Sequence, residues 1–136
     1  MDDVIASAGN KAEVIWEYLK NNDSSTQQDL LKKTNLSKDE FYFAIGWLAR
    51  ENKIAFDNDK YTLNQTNLTP TIGNNAGTLW KILDVWDELD SISLRRLSKL
   101  DETHLYSALG WLLCERKING RLQNKKNKKY MFWLEK

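Results

Sequence analysis

The chain has little of what enzyme chemistry and covalent stapling need. Its 136 residues include one cysteine, Cys114, one histidine, His104, and one proline, Pro70. A single thiol excludes an intrachain disulfide and suits a reducing compartment. No second cysteine or histidine stands at ligand spacing, so no zinc site can be written. Neither a phosphate-cradling glycine loop nor a nucleophile motif occurs, and the expectation is a non-enzyme without a cofactor. His104 sits beside Asp101 and Glu102 in a helix's first turn, where a surface or capping role suffices. Cys114 reads as a packing residue. No apolar run could span a membrane, and the opening MDDVIASAGN lacks the basic and apolar regions of a signal peptide. The expected location is the cytoplasm, with no membrane partner.

Two things the chain does have are tryptophan, six of them, and repetition. Residues 45–54 read IGWLARENKI and residues 109–118 read LGWLLCERKI. Sliding the chain by 64 residues gives 16 ungapped identities over positions 9–54, from Gly9/Gly73 and Trp16/Trp80 to Trp47/Trp111 and Ile54/Ile118. A self-match of this kind marks a tandem duplication. The implied domains are residues 1–66 and 67–136, with NQTNLTPTIG as the linker. A unit of about 60 residues is marginal alone. The tryptophans, which bury large areas, and packing of one unit on the other both help. A pseudo-dimer within one chain is therefore expected.

In the first unit Ala12, Ile15, Trp16 and Leu19 share one helical face, with Asn10 and Glu13 spaced as a capping box at its start. NNDSST breaks the pattern and QQDLLKKT is a short second helix. Ser37 and Glu40 form a capping box opening a third helix, whose buried stripe is Phe41, Ala44, Ile45 and Leu48. Then come a strand, IAF, a turn, DNDK, and a strand, YTL. The second unit repeats the order, with helices near 74–86, 91–99 and 102–116 and a longer hairpin, INGRLQNKKNKKYMFWL. Thr69-Pro70 suits a helix start. Three helices and a two-stranded wing make a mainly α fold with small β wings, that of two tandem winged helix-turn-helix domains. The segments G-N-x-A-x-x-[IL]-W-x-x-L and A-[IL]-G-W-L-x-x-E-x-K-I resemble a small prokaryotic family of winged helix-turn-helix domains of unknown function. That resemblance implies the fold for both units and leaves function open.

The net charge of +1 conceals an asymmetry. Residues 1–68 hold 8 basic and 11 acidic side chains, and residues 69–136 hold 12 and 8. From 116 to 134 seven basic residues occur without an acid: Arg116, Lys117, Arg121, Lys125, Lys126, Lys128 and Lys129. On or near a hairpin, they are the candidate nucleic-acid-binding set, able to lie along phosphates or enter a minor groove. The alternative is a loop whose lysines only confer solubility. The first wing, with Asp57, Asp59 and Lys60, lacks the feature.

At 100° per residue the third helix also leaves Lys38, Tyr42, Phe43, Gly46, Trp47 and Arg50 off the buried stripe. This face enters the major groove in DNA-binding helix-turn-helix proteins. Here the N-terminal turns carry acids, which suit capping better than base reading. Phe43, Gly46, Trp47, Gly110 and Trp111 are the candidate inter-repeat or partner interface. Two readings of the tryptophans stay open: each fills its own core, or both meet across a pseudo-twofold contact. The expected function is nucleic-acid binding, DNA foremost, in a regulatory role, mainly electrostatic and through the second wing. The alternative is a protein-interaction module using the outer faces of the third helices, with no nucleic acid.

Overall fold

The apolar period beginning at Ala12 extends back to Val4, because Val4 and Ala8 continue the stripe of Ala12, Ile15 and Leu19 and are buried with it. The first helix, α1, therefore runs Val4–Asn21 and is capped by Asp3, whose side chain accepts the Ala6 N–H. The capping box expected at Asn10 and Glu13 is corrected: both lie inside the helix. Gly9 serves packing, since a Cβ there would meet the Trp47 ring at 3.0 Å.

The computed structural model describes residues 3–127 and 129–135. After α1 come β1 (Ser24–Ser25), α2 (Gln27–Thr34), α3 (Lys38–Arg50), β2 (Ile54–Asp57) and β3 (Lys60–Leu63). A π-helical turn, Thr69–Gly73 with Pro70 at its start, leads straight into α4 (Asn74–Trp86). Then follow β4 (Glu88–Asp90), α5 (Ser91–Ser98), α6 (Glu102–Cys114), β5 (Ile118–Asn124) and β6 (Lys129–Leu134). Each unit holds an antiparallel sheet, ordered β1-β3-β2 and β4-β6-β5. The outer strands β1 and β4 are additions to the sequence reading. At two and three residues they are too short to show alternation, and they form because β3 and β6 offer an open edge. The backbone repeats as well. Left-handed residues stand at equivalent places, Asp23 and Asp87, Asn35 and Lys99, Asn52 and Arg116.

The capping box of Ser37 and Glu40 starts α3 as its sequence indicates. Phe41, Ala44, Ile45 and Leu48 are buried, and so are Tyr42, Phe43, Gly46 and Trp47 on the other side. The outer face of α3 is not free, because it crosses α6. A Cβ on Gly46 would lie 1.8 Å from the Ser107 carbonyl oxygen, and one on Gly110 would lie 2.1 Å from that of Phe43. Gly46 and Gly110 are equivalent, as are Phe43 and Ser107. The contact is thus a twofold exchange of the same patch. Both units share one continuous core.

At this crossing a methyl group has nowhere to go. Gly110→Ala should lower the melting temperature by roughly 10 °C, the effect of overpacking by about 3 kcal/mol. Gly77→Ala is the control, since a Cβ there meets nothing within 4 Å. It should raise stability by about 1 kcal/mol through helix propensity. Thermal melts of the two variants check the contrast; equal melting points would remove the crossing from its central place.

Candidate nucleic-acid interface

The second hairpin spans residues 118–134 where the first spans 54–63, and the added length reaches the first unit. Tyr130 lies in that extension. Its hydroxyl donates to Asp39 Oδ2 at 2.6 Å, and both residues are buried. Asp39 also accepts from the Ser37 hydroxyl. The Tyr130 ring meets Phe43 edge-on at 5.3 Å and stacks on Phe132 at 5.8 Å, and Tyr106 meets Phe43 at 5.1 Å. Burial, then the bond to Asp39, pushes the Tyr130 hydroxyl far above its ordinary pKa, so it stays a donor. The hairpin is therefore a strap across the first unit as well as a wing.

Seven basic residues were expected to face nucleic acid here, and the fold treats them differently. Arg116, in a left-handed conformation, turns its guanidinium over the Trp47 ring at 5.3 Å and donates to the Cys114 carbonyl. Lys117 lies 3.6 Å from Glu115. Arg121 pairs with Glu88 at 3.2 Å and sits over the Trp133 ring. Lys129 lies 3.5 Å from Asp90. Lys125 and Lys126 are exposed in the hairpin turn without an ion pair among the described residues. Lys128 lies outside the described residues. The stretch 116–134 is acid-free along the chain but not in space. Strand β4 brings Glu88 and Asp90 alongside β6, and Glu115 follows the last residue of α6.

Other cations join the wing. Arg95 and Arg96 on α5 and Lys99 at its C-cap are exposed. Arg95 and Lys129 line one depression of about 470 Å³, whose walls also include Tyr106 and the acids Asp39 and Glu102. The wing is tied to this helix by the Tyr130 N–H, which donates to the Ser91 hydroxyl at 3.4 Å. The sequence signal was the pair Arg95-Arg96 inside SLRRLSK, overlooked because Leu94 and Leu97 present a helical stripe.

The candidate interface residues fall at the contact between units. Phe43, Gly46 and Gly110 form the crossing. Trp47 is buried against Gly9 of its own unit and covered by Arg116 of the other. Trp111, half-buried, packs likewise on Gly73, with Arg50 at 5.7 Å over its ring. Arg50 also pairs with Glu115 at 2.9 Å. Each tryptophan thus packs on a glycine of its own unit and carries an arginine of the other. The outer faces of the third helices, expected to be offered to a groove or a protein, are used within the chain. What α3 keeps exposed is Lys38 and Arg50, and α6 keeps Glu102, Thr103 and His104. Asp101 caps α6 by accepting the His104 N–H at 2.9 Å, and its carboxylate meets the His104 ring Nδ1 at 2.8 Å. Burial, then Glu51, pushes the Cys114 thiol up to about 11, which leaves it a poor nucleophile at neutral pH. Among the described residues no group of His, Cys, Asp and Glu could hold a metal ion, and no helix is long and apolar enough to cross a membrane.

A family model described as Winged helix-turn-helix domain (DUF2582) matches the chain twice, over residues 1–67 and 62–133. No curated protein and no solved structure matches it.

Tyr130→Phe should cost about 1.5–3 kcal/mol, the range for a buried hydrogen bond to a charged group. Amide exchange across 118–134 should quicken with it, and unchanged exchange would mean the strap is held by ring packing alone. Asp90 supplies a pH dependence. The Ser93 N–H, which it accepts at 2.7 Å, is the main reason its carboxyl sits below the usual range, and Lys129 adds to this against partial burial. A lowered folded pKa stabilises fully above the unfolded value and is lost as pH falls through the folded one. Asp90→Asn should therefore show a shallower loss of stability between about pH 5 and pH 2 than the parent. Parallel denaturation curves across that range would contradict it.

Proposed function

The chain belongs to this winged helix-turn-helix family as a tandem pair, and from that premise we propose that it binds the phosphate backbone of nucleic acid, DNA foremost. The carrying observation is the exposed basic set on the second unit, Arg95 and Arg96 on α5 and Lys99 at its C-cap, with Lys125 and Lys126 at the wing tip. Phosphate contacts supply affinity without sequence information, and base reading needs side chains in a groove. The crossing of α3 and α6 buries the face that would carry them. Binding is therefore electrostatic, indifferent to sequence and strongly dependent on salt. This keeps the second wing as a contact and adds α5, while Arg116, Lys117, Arg121 and Lys129 contribute less because each already has a partner.

A protein partner is the second reading, and one observation favours it. Val85, Trp86, Ile92 and Leu97 are large apolar side chains left exposed on α4 and α5. They belong to the first and second helices of the second unit rather than to the third helices first expected to serve such a partner.

Electrophoretic titration of mixed-sequence duplex DNA at several salt concentrations separates the readings. Each neutralised phosphate contributes about −0.9 to the slope of log K against log salt. Replacing Arg95, Arg96, Lys125 and Lys126 with glutamine should flatten the slope by roughly 3–4 and leave the melting temperature in place. Lys32→Gln with Lys33→Gln, on the equivalent helix of the first unit, should change little. A parent protein that binds neither DNA nor RNA at low salt would overturn the proposal in favour of a protein partner.

A further inference from the structure

The identities between the two units gather around a pair of grooves. In the first unit a groove between α1 and α3 is lined by Gly9, Ala12, Trp16 and Trp47, with Glu51 and Lys53 at its mouth. The equivalent groove lies between α4 and α6. Every lining residue of the first has its counterpart in the second, identical at all positions but one: Glu13 stands where the second has Gly77. Packing accounts for Gly9 and Gly73, which seat Trp47 and Trp111. It does not account for Gly77, which lies inside a helix with nothing within 4 Å of its missing Cβ. A glycine there weakens the helix, and its effect is to keep the floor of the groove open.

The two grooves differ in access accordingly. In the first, Lys20 and Lys53 cover the Trp16 ring at 4.3 and 5.6 Å, and the cavity is about 250 Å³. In the second the cavity is about 380 Å³ and Trp80 is 39% exposed. Its mouth carries Lys81, Lys117 and Glu115, and the Glu115 carboxylate is already held by Arg50 at 2.9 Å and Lys117 at 3.6 Å. Lys81 has no ion pair among the described residues, so the mouth is net positive. A concave site of this size, with aromatic walls and a few convergent charges, is the usual form of a small-ligand pocket.

We propose that the groove between α4 and α6 binds a small planar aromatic anion. The ring lies against Trp80 over the space left bare by Gly77, and its carboxylate or phosphate meets Lys81, which has no ion pair among the described residues. None of these residues belongs to the wing tip or to α5, so this site and the backbone contact can fail separately.

Calorimetric titration of the intact chain tests it with two probes, indole-3-acetate for a carboxylate and adenosine monophosphate for a phosphate. Tryptamine, an indole with a cationic arm, is the control. At least one anionic probe should bind with one equivalent per chain, and which one does so identifies the anion. Gly77→Glu, which copies the first groove into the second, should weaken binding about tenfold or more without lowering the melting temperature. Trp80→Ala should also weaken it about tenfold, the loss of one stacking face. Binding of neither anionic probe, equal binding of tryptamine, two equivalents per chain, or undiminished binding by Gly77→Glu would each overturn the assignment.

Discussion

Because neither Gly46 nor Gly110 has a side chain, the backbones of α3 and α6 touch, and much of the molecule is arranged by that approach. It brings Phe43 onto α6 and Ser107 onto α3, so the outer faces of both third helices are spent on each other. It places the ends of the two helices together, where Arg50 reaches Glu115 and the Trp111 ring, and Arg116 reaches Trp47. Any larger residue at either glycine would push the helices apart and uncouple these end contacts. Each unit alone is marginal in size, so the shared core is where stability is found.

The second wing makes that contact lopsided. Phe43 offers a ring where its counterpart Ser107 offers a hydroxyl, and the ring is enclosed by Tyr106, Tyr130 and Phe132 of the second unit. Tyr130 exists only because the second hairpin is longer. Leu122 and Lys125 from the same hairpin line a cavity with Val4, Ala8 and Phe43 of the first unit. The hairpin holds the units together on one side, and its turn still presents Lys125 and Lys126 to solvent.

Much of this was legible in the sequence, for reasons that also mark the limits. Helices α2 to α6 are specified by local period and by caps such as Ser37 with Glu40, and the offset identities specify the duplication. What covers a helix face is not local. The angle of Gly46 and Trp47 around α3 shows that they leave the Phe41 stripe, and says nothing of α6 lying across them. Charge read along the chain failed similarly, because Glu88 and Asp90 neutralise Arg121 and Lys129 from a strand too short to be seen beforehand. The grooves were present as a pattern, Gly9 with Trp16 and Gly73 with Trp80. Only the third dimension adds Trp47 and Trp111 to them.

Fusion of the two units has a consequence that a symmetric dimer could not share. In a homodimer every substitution appears on both sides, so a basic wing or an open groove comes in pairs. In one chain the pairing is intramolecular, and the copies can diverge while the crossing keeps its glycines. The first copy carries Asp57 and Asp59 in its wing, Glu13 in its groove and lysines over Trp16. The second carries the lysine turn, the arginines of α5 and the bare strip at Gly77. Both exposed features thus fall on one half of a body whose other half completes the core and closes its own groove. On the proposed reading, a backbone ligand meets the cations of α5 and the wing turn on the second unit only, while the first unit's exposed lysines lie outside that set. A single contact orientation follows from that, where a symmetric pair would offer two.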